Sequence, residues 1–228
     1  EGRAMRDIVE EQKEYYRERA GEYDEWWFRE GRWALSGTAA LGWRADVAEV
    51  EAAVDRFAPR GDVLELACGT GLWTRRLARH ADRVTAVDAA GEMIERNRER
   101  VRGPVTYVHA DVFAWTPPAR AYDVCFFSYW LSHVPAERLA SFWATVDAAL
   151  RPGGRVFLMD SHVAQPPAGQ TQERTLNDGR RYRVVKRFWQ PAELADHVAG
   201  LGWTLDVRVT RHGGILYASG VRSRRGQE

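Results

Sequence analysis

Short apolar runs alternate along the chain with longer segments that carry one apolar face. The runs are bounded by polar or glycine residues, which indicates buried strands, and they begin at residues 62, 83, 104, 122 and 155. Segments 91–100, 135–150 and 191–201 space their apolar residues three or four positions apart, which predicts helices. Alternating strands and helices predict an α/β protein with a Rossmann-like, doubly wound sheet.

Two helices are predicted before the first strand. Residues 5–20 have one apolar and one charged face, and residues 44–57 repeat that pattern until Pro59 stops it. Between them, an aromatic segment without a clear period leads into a predicted loop over residues 31–42. We expect residues 5–58 to form a helical lid over the strands.

The region after the fifth strand contains turn signals. Residues 161–171 are rich in Pro, Gly and Gln and predict a surface loop. Asp178-Gly179 predicts a β-hairpin, which we expect close to the substrate pocket. Residues 203–210 and 213–221 alternate well enough to predict two final antiparallel strands.

The chain is organised around residues 62–71, with the sequence DVLELACGTG. A buried strand here runs into Gly69 and Gly71, and a helical pattern follows. Glycines allow the backbone to approach a ligand, and the free N–H groups of a helix start face it. The dinucleotide fingerprint requires a third glycine where Thr74 stands, and a Walker loop is also absent.

The run from Glu65 to Gly71 resembles the first motif of class I S-adenosylmethionine (SAM)-dependent methyltransferases, and the Pro-Gly-Gly turn at 152–154 is also similar to that family. The resemblance runs by motif from Asp62 to Leu158 and by element order to the end of the chain. It implies SAM as cofactor and a seven-stranded sheet with an antiparallel last strand. The hairpin is then an insertion after strand five.

The predicted cofactor residues follow the strand ends. Asp88 ends the second strand about 20 residues after the glycine turn, the usual position of a carboxylate that binds ribose hydroxyls; the alternative is a cap for the following helix. The resemblance implies that Asp111 and the backbone of Val112 bind adenine and that a tyrosine of the N-terminal segment touches the cofactor. The full predicted set is Tyr16, Glu65, Ala67, Gly69, Gly71, Trp73, Asp88, Ala89, Met93, Asp111, Val112 and Ser128.

The end of the fourth strand predicts the acceptor site, because open α/β sheets bind ligands at the carboxyl ends of their strands. Trp27, Tyr129 and Trp130 are the predicted substrate-binding residues, with Tyr16 nearby. His133 is the predicted general base, since histidine suits proton removal near neutral pH. The alternative is that His133 caps the helix that opens at Pro135.

Composition and charge limit the classes of function that the sequence supports. The 33 basic and 32 acidic residues nearly cancel, which gives no support for a nucleic-acid surface. Cys68 and Cys125 predict neither a disulfide nor a metal cluster, and no apolar run is long enough for a membrane span. We therefore expect one cytoplasmic domain over residues 1–228, monomeric or homodimeric, without a metal. Its predicted parts are the lid, a SAM-binding core (59–160), a loop and hairpin (161–190) and a C-terminal part (191–228).

The predicted activity is methylation of a small aromatic or apolar molecule, with oxygen favoured over nitrogen or carbon as acceptor atom. In size, the chain is similar to bacterial methyltransferases of specialised metabolism. Three alternatives stay open: an RNA methyltransferase, a non-catalytic SAM-binding protein and a Rossmann oxidoreductase. The missing third glycine disfavours the oxidoreductase.

Overall fold

A computed structural model describes residues 2–223, with side chains from residue 8 onward. The predicted domain limits at residue 1 and over residues 224–228 lie outside the described residues. The α-helices are α1 (Gly2–Arg19), α2 (Tyr23–Phe28), α3 (Gly37–Phe57), α4 (Thr74–Leu77), α5 (Gly91–Arg100), α6 (Leu139–Ala149) and α7 (Pro191–Gly200). The strands are β1 (Asp62–Leu66), β2 (Arg83–Asp88), β3 (Val105–His109), β4 (Tyr122–Ser128), β5 (Leu150–Ser161), β6 (Thr171–Thr175), β7 (Arg181–Val185), β8 (Trp203–Val209) and β9 (Ile215–Arg222).

Seven strands form one sheet in the order β3-β2-β1-β4-β5-β9-β8. The strands β1 to β5 pair in parallel, while β9 runs antiparallel to both of its neighbours. The order reverses between β1 and β4, so the carboxyl ends of these two strands frame a crevice. The predicted Rossmann-like sheet with an antiparallel last strand is confirmed.

Helices cover both faces of the sheet, which explains why β1 is buried at every position from Val63 to Leu66. Leu64 and Leu66 pack on the side of α6 and α7, with Trp143 and Leu194. Val63 packs on the other side, with the apolar residues of α3. A strand between two helical layers has no exposed face, so alternation of polar residues is lost.

Strands β6 and β7 form a separate two-stranded hairpin after β5, as predicted. Its apolar face packs on α1, where Tyr15 lies in one cluster with Leu176, Tyr182 and Val184. The backbone N–H of Arg187, just after β7, donates to the carbonyl of Ser132 beyond the end of β4. The hairpin therefore holds α1 over the carboxyl ends of the strands.

Several predicted boundaries were wrong. The aromatic segment after residue 22 forms helix α2, and α3 begins at Gly37 inside the predicted loop. Gly42 suggested a loop, yet it lies inside α3, where a Cβ would approach the ring of His212 to 3.4 Å. Gly42 is required because the helix packs closely against His212. A glycine needed for close packing and a glycine needed for a turn look the same in the sequence.

Three other elements differ from their predicted lengths. Helix α4 has one turn, and a 3₁₀ turn at Ala136–Arg138 precedes α6. Strand β5 begins at Leu150, so the predicted turn at 151–154 is the irregular start of a strand whose register with β4 shifts. Over residues 2–223, none of the helices combines the length and the apolar character that crossing a membrane would require.

Candidate active site

The turn after β1 adopts a left-handed backbone at three positions. Ala67, Gly69 and Gly71 have φ angles of 53°, 52° and 87°. The N–H of Cys68 donates to the carbonyl of Val87 at 3.0 Å, and the Asn97 side chain donates to the carbonyl of Gly69 at 3.2 Å. These bonds fix the turn against β2 and α5, so that its outer side stays free for a ligand.

Gly71 has a different role from the predicted one. A Cβ at this residue would lie 2.6 Å from Oδ1 of Asn97, which is fully buried. The same Oδ1 accepts a hydrogen bond from Tyr107, and the Asn97 amide donates to Thr74. Gly71 therefore lets the turn pack on α5 and does not face the site.

Asp88 lies at the end of β2 beside the glycine turn. Its Oδ2 accepts from the N–H of Gly69 at 2.8 Å, and its Oδ1 accepts from the N–H of Ala90 at 2.9 Å. Burial raises the pKa of this carboxyl, and the backbone donors partly offset that rise. Each carboxylate oxygen retains acceptor capacity for a ligand hydroxyl. The Ala90 bond shows that Asp88 also orders the start of α5, so the two readings are compatible.

A cavity of about 690 Å³, here called the first cavity, opens beside this turn. It lies under α1, between the ends of β1, β2 and β4. Twelve of the predicted site residues line it: Tyr16, Ala67, Gly69, Asp88, Ala89, Met93, Asp111, Val112, Ser128, Tyr129, Trp130 and His133. Residues that the sequence did not indicate complete the wall, among them Gln12, Lys13 and Tyr23.

Glu65 does not line the first cavity. It is 1% exposed in the core behind the glycine turn, and its Oε2 has no hydrogen-bond partner among the described residues. Burial raises the pKa of Glu65 to about 8, and a hydrogen bond from Thr74 offsets only part of this effect. We therefore correct the predicted contact of Glu65 with the cofactor to a position beneath the turn.

Trp27 and Trp73 also lie outside the wall of the first cavity. Their rings meet edge to face, with centroids 5.6 Å apart, in an aromatic cluster that includes Trp43. Both residues line a smaller crevice on the other side of the glycine turn. Trp26, the neighbour of Trp27, also lines this crevice and in addition lines the second cavity described below. Successive residues of α2 point in different directions, and the sequence alone did not determine which of the two faced the site.

His133 is buried and fixed by two hydrogen bonds. Its Nδ1 donates to the carbonyl of Val185 at 2.5 Å, which leaves Nε2 as an acceptor for the hydroxyl of Tyr16 at 2.8 Å. Burial, and then the positive charge of Lys186, lower the pKa of His133 well below its ordinary value. The ring is therefore neutral at neutral pH, with Nε2 directed at Tyr16.

Helix α1 closes the first cavity through polar contacts made by two neighbouring residues, Gln12 and Lys13. Lys13 pairs with Asp111 at 2.7 Å. The Gln12 side chain donates to the carbonyl of His133 and accepts from the N–H of Val185. Gln12 is 2% exposed, so a polar residue occupies a position that amphipathic patterning assigns to the core.

A second cavity of about 470 Å³ adjoins the first one. Four residues line both cavities: Tyr16, Tyr23, Tyr129 and His133. The remaining wall of the second cavity is formed by Arg19, Trp26, Trp33, Ser161, Arg174 and Lys186. Tyr129 has a left-handed φ of 50° and a buried hydroxyl without a partner among the described residues, which is typical of a functional position.

Sequence reasoning missed the basic residues of the second cavity. The chain is rich in arginine, so Arg19 and Arg174 carry no distinctive signal. Lys186 is one of only two lysines and follows the predicted hairpin strand, which was the available indication.

The first cavity suits a nucleoside cofactor. Acidic residues stand at the ends of β2 and beyond β3, a glycine turn exposes backbone beside them, and a small apolar residue, Val112, follows Asp111 in the wall. This arrangement at the topological switch point defines a nucleoside-binding α/β protein. The second cavity provides room for another small molecule beside that cofactor.

Comparisons with known proteins agree with this class. Residues 63–154 match the family model described as a methyltransferase domain. An uncharacterised methyltransferase of Mycobacterium tuberculosis (strain H37Rv) is 31% identical over 120 residues, and the match spans 51% of this chain and 59% of that relative. The structure of a DhpI complex with S-adenosylhomocysteine (SAH) is 40% identical, with a TM-score of 0.76 over 96% of this chain and 98% of that one. A DhpI complex with SAM and HEP is 38% identical, with a TM-score of 0.78 over 94% and 97% of the two chains.

The chain belongs to the class I SAM-dependent methyltransferases. SAM is its cofactor, and the protein is an enzyme of the transferase class.

Proposed function

We propose that the protein methylates an oxygen atom of a small molecule bound in the second cavity, while the first cavity holds SAM. The observation that carries this proposal is the wall shared by the two cavities, made of Tyr16, Tyr23, Tyr129 and His133. A recess bounded by α1, α2, the end of β4 and the hairpin suits a small acceptor better than an RNA strand. A role in specialised metabolism stays a prediction.

Residues of the first cavity would each bind a different part of the cofactor. Asp88 would accept the ribose hydroxyls, Asp111 and Val112 would bind adenine, and the backbone at Gly69 would face the methionine part. When bound, SAM supplies an electrophilic methyl group and leaves as a thioether that needs no proton. The remaining tasks of the chain are to align the acceptor, to exclude water and to remove a proton.

His133 and Tyr16 form the path for that proton. As the acceptor oxygen bonds to the methyl carbon, its proton passes to Oη of Tyr16, and the Tyr16 proton passes to Nε2 of His133 across 2.8 Å. The carbonyl of Val185 holds the ring in the tautomer that this transfer requires. Once the product has left, Nε2 of His133 returns its proton to Tyr16, and Oη of Tyr16 passes its own proton to solvent in the second cavity, so the pair returns to its starting state.

The test combines a product screen with two variants. SAM and the protein are incubated with phenols, alcohols, amines and carboxylates, and products are read as a mass gain of one methyl group. For the best acceptor, His133→Ala lowers the maximal rate by about 10²–10⁴-fold. His133→Gln keeps a polar side chain at this position that cannot act as a base, so this variant tests positioning alone. His80→Gln, near the start of β2, is the matched control.

Two outcomes contradict the proposal. Tight SAM binding without any methylated product would indicate a non-catalytic SAM-binding protein. A near-normal rate in both His133 variants would reject the proton path and indicate an acceptor that attacks already deprotonated.

A further inference from the structure

Three basic side chains converge on the second cavity from separate elements. Arg19 comes from the last turn of α1, Arg174 from β6, and Lys186 from the residue after β7. Burial is the largest cause of the lowered pKa of His133, and the charges of Lys186, Arg174 and Arg19 lower it further. The hairpin thus adds a positively charged wall opposite the cofactor side.

Arg19 is a buried cation without a counterion among the side chains that the structure describes. It is 7% exposed, and no carboxylate or hydrogen-bond acceptor contacts its guanidinium in the part of the chain that the structure describes. Its Nε is fully buried. The rings of Tyr15, Tyr23 and Trp33 surround the guanidinium at 5.5, 5.0 and 5.9 Å, which holds the charge in place without neutralising it.

Lys186 has a carboxylate partner, and Arg174 has none among residues 2–223. The Lys186 ammonium lies 3.0 Å from Oδ1 of Asp160 and donates to Oγ of Ser132 at 2.8 Å. Asp160 therefore balances one of the three positive charges. Arg19 is buried and Arg174 is partly exposed. Burying an unpaired cation is costly, so a site that keeps Arg19 buried beside a second unpaired cation is suited to a negative ligand.

We infer that the acceptor molecule carries an oxyanionic group, such as a carboxylate or a phosphate, which Arg19 and Arg174 bind in the second cavity. This inference rests on the proposed function, because it names the acceptor class of the same site. Guanidinium groups present several donors in a plane that matches the oxygens of these anions. The unpartnered hydroxyl of Tyr129 in the shared wall supplies a further donor.

Anion binding also explains how a histidine among cations can accept a proton. Burial and then Lys186 lower the pKa of His133 most, and Arg174 and Arg19 lower it further. A bound anion offsets the charges of the two arginines. His133 consequently becomes a stronger base once the acceptor is bound. The rest of the acceptor lies against the rings of Trp26 and Trp33. The acceptor thus keeps the aromatic or apolar character that the sequence predicts.

The experiment measures anion binding to the SAH-loaded full-length protein by calorimetry. The probes are inorganic phosphate, acetate and the uncharged acetamide. We expect phosphate to bind more tightly than acetate, acetamide not to bind, and added salt to weaken both anions. Arg19→Gln and Arg174→Gln each weaken phosphate binding about 10- to 100-fold, as expected for losing a charge-assisted hydrogen bond. The partly exposed Arg174 serves as second variant if replacement of Arg19 impairs folding.

Arg79→Gln is the matched control, because Arg79 is exposed in the segment between α4 and β2. This segment leads into the amino end of β2, whereas the cavities lie at the carboxyl ends of the strands. The affinity for SAH should stay unchanged in all three variants. Equal phosphate affinity in the Arg19, Arg174 and Arg79 variants would overturn the inference.

The product screen separates this inference from the proposed function. Methylation of neutral acceptors in preference to their anionic counterparts, with no effect of Arg19→Gln, overturns the inference and leaves the methyl transfer intact. Arginine-dependent phosphate binding without any methylated product overturns the proposed function and leaves the anion site intact.

Discussion

At the scale of single residues, the site combines strained backbone with buried polar groups. Ala67 and Tyr129 adopt left-handed conformations at the ends of β1 and β4, and both line the first cavity. For residues other than glycine, such conformations cost about 1–3 kcal/mol each and persist only where the surroundings hold them. Here the strain directs backbone and side chains toward the two cavities.

From the raised pKa of the buried Glu65 carboxyl, we predict that the free energy of unfolding falls as the pH rises. Because burial raises its pKa to about 8 from an ordinary value of 4.5, the folded state binds its proton more tightly than the unfolded state. The contribution of Glu65 to the free energy of unfolding is complete below about pH 4.5 and falls as the pH rises toward 8.

Replacing Glu65 with Gln should remove this dependence. The variant should resemble the wild type at pH 5 and exceed its free energy of unfolding by on the order of 3 kcal/mol at pH 8–9. Urea unfolding across this pH range measures the difference. Glu95→Gln, on the exposed side of α5, is the control. Parallel curves for wild type and Glu65→Gln would mean that Glu65 titrates normally.

At the scale of elements, one face of α1 serves both cavities. Gln12, Tyr16 and Arg19 follow each other at helical spacing, with Gln12 toward the first cavity, Arg19 toward the second and Tyr16 in both. The hairpin holds this face in position through the pairing of Arg183 with Glu11 and of Arg180 with Glu18. Helix α1 and the hairpin thus form one unit over both cavities, here called the α1–hairpin lid.

We predict that Gln12→Ala loosens this lid. The change leaves the carbonyl of His133 and the N–H of Val185 without their buried partner, which costs about 1–3 kcal/mol. Hydrogen exchange should accelerate in residues 8–28 and 171–186, and SAH should restore protection in wild type more than in the variant. Glu14→Gln, on the exposed side of α1, is the control. Unchanged exchange in Gln12→Ala would indicate that packing alone fixes α1.

At the scale of the whole molecule, cofactor binding joins elements that are distant in sequence. The first cavity is bounded by α1, the glycine turn and the ends of β2 and β4, so a ligand there contacts the lid and the sheet at once. A ligand that binds only the folded chain stabilises it by mass action.

We therefore predict that SAH at 100 times its dissociation constant adds about 2.7 kcal/mol to the free energy of unfolding. For a chain of this size, that corresponds to a rise of about 5–10 °C in the thermal midpoint. Asp88→Ala should abolish most of the rise at the same SAH concentration, because it removes two charged acceptors for ribose hydroxyls. A full shift in Asp88→Ala would restrict Asp88 to ordering the turn and the start of α5.

The sequence by itself determined the framework and the cofactor. Apolar runs and helical periods are local signals of which side chains face a core, and they located the strands of the parallel sheet. The run from Glu65 to Gly71 identified the methyltransferase class, because a strand, a glycine turn and a helix start lie consecutively along the chain. The same local logic located Asp88 and His133 beside the first cavity.

Only the tertiary structure decided the acceptor side. Arg19, Arg174 and Lys186 are far apart in sequence and meet because the hairpin folds back on α1. Buried polar residues such as Gln12 contradict the amphipathic pattern, so periodicity does not reveal their role. Glu65 and Gly71, adjacent to the site in sequence, turned inward, since the opposite sides of one turn face core and ligand. Local pattern reports burial, whereas the partners of a buried charge depend on contacts that only the folded chain creates.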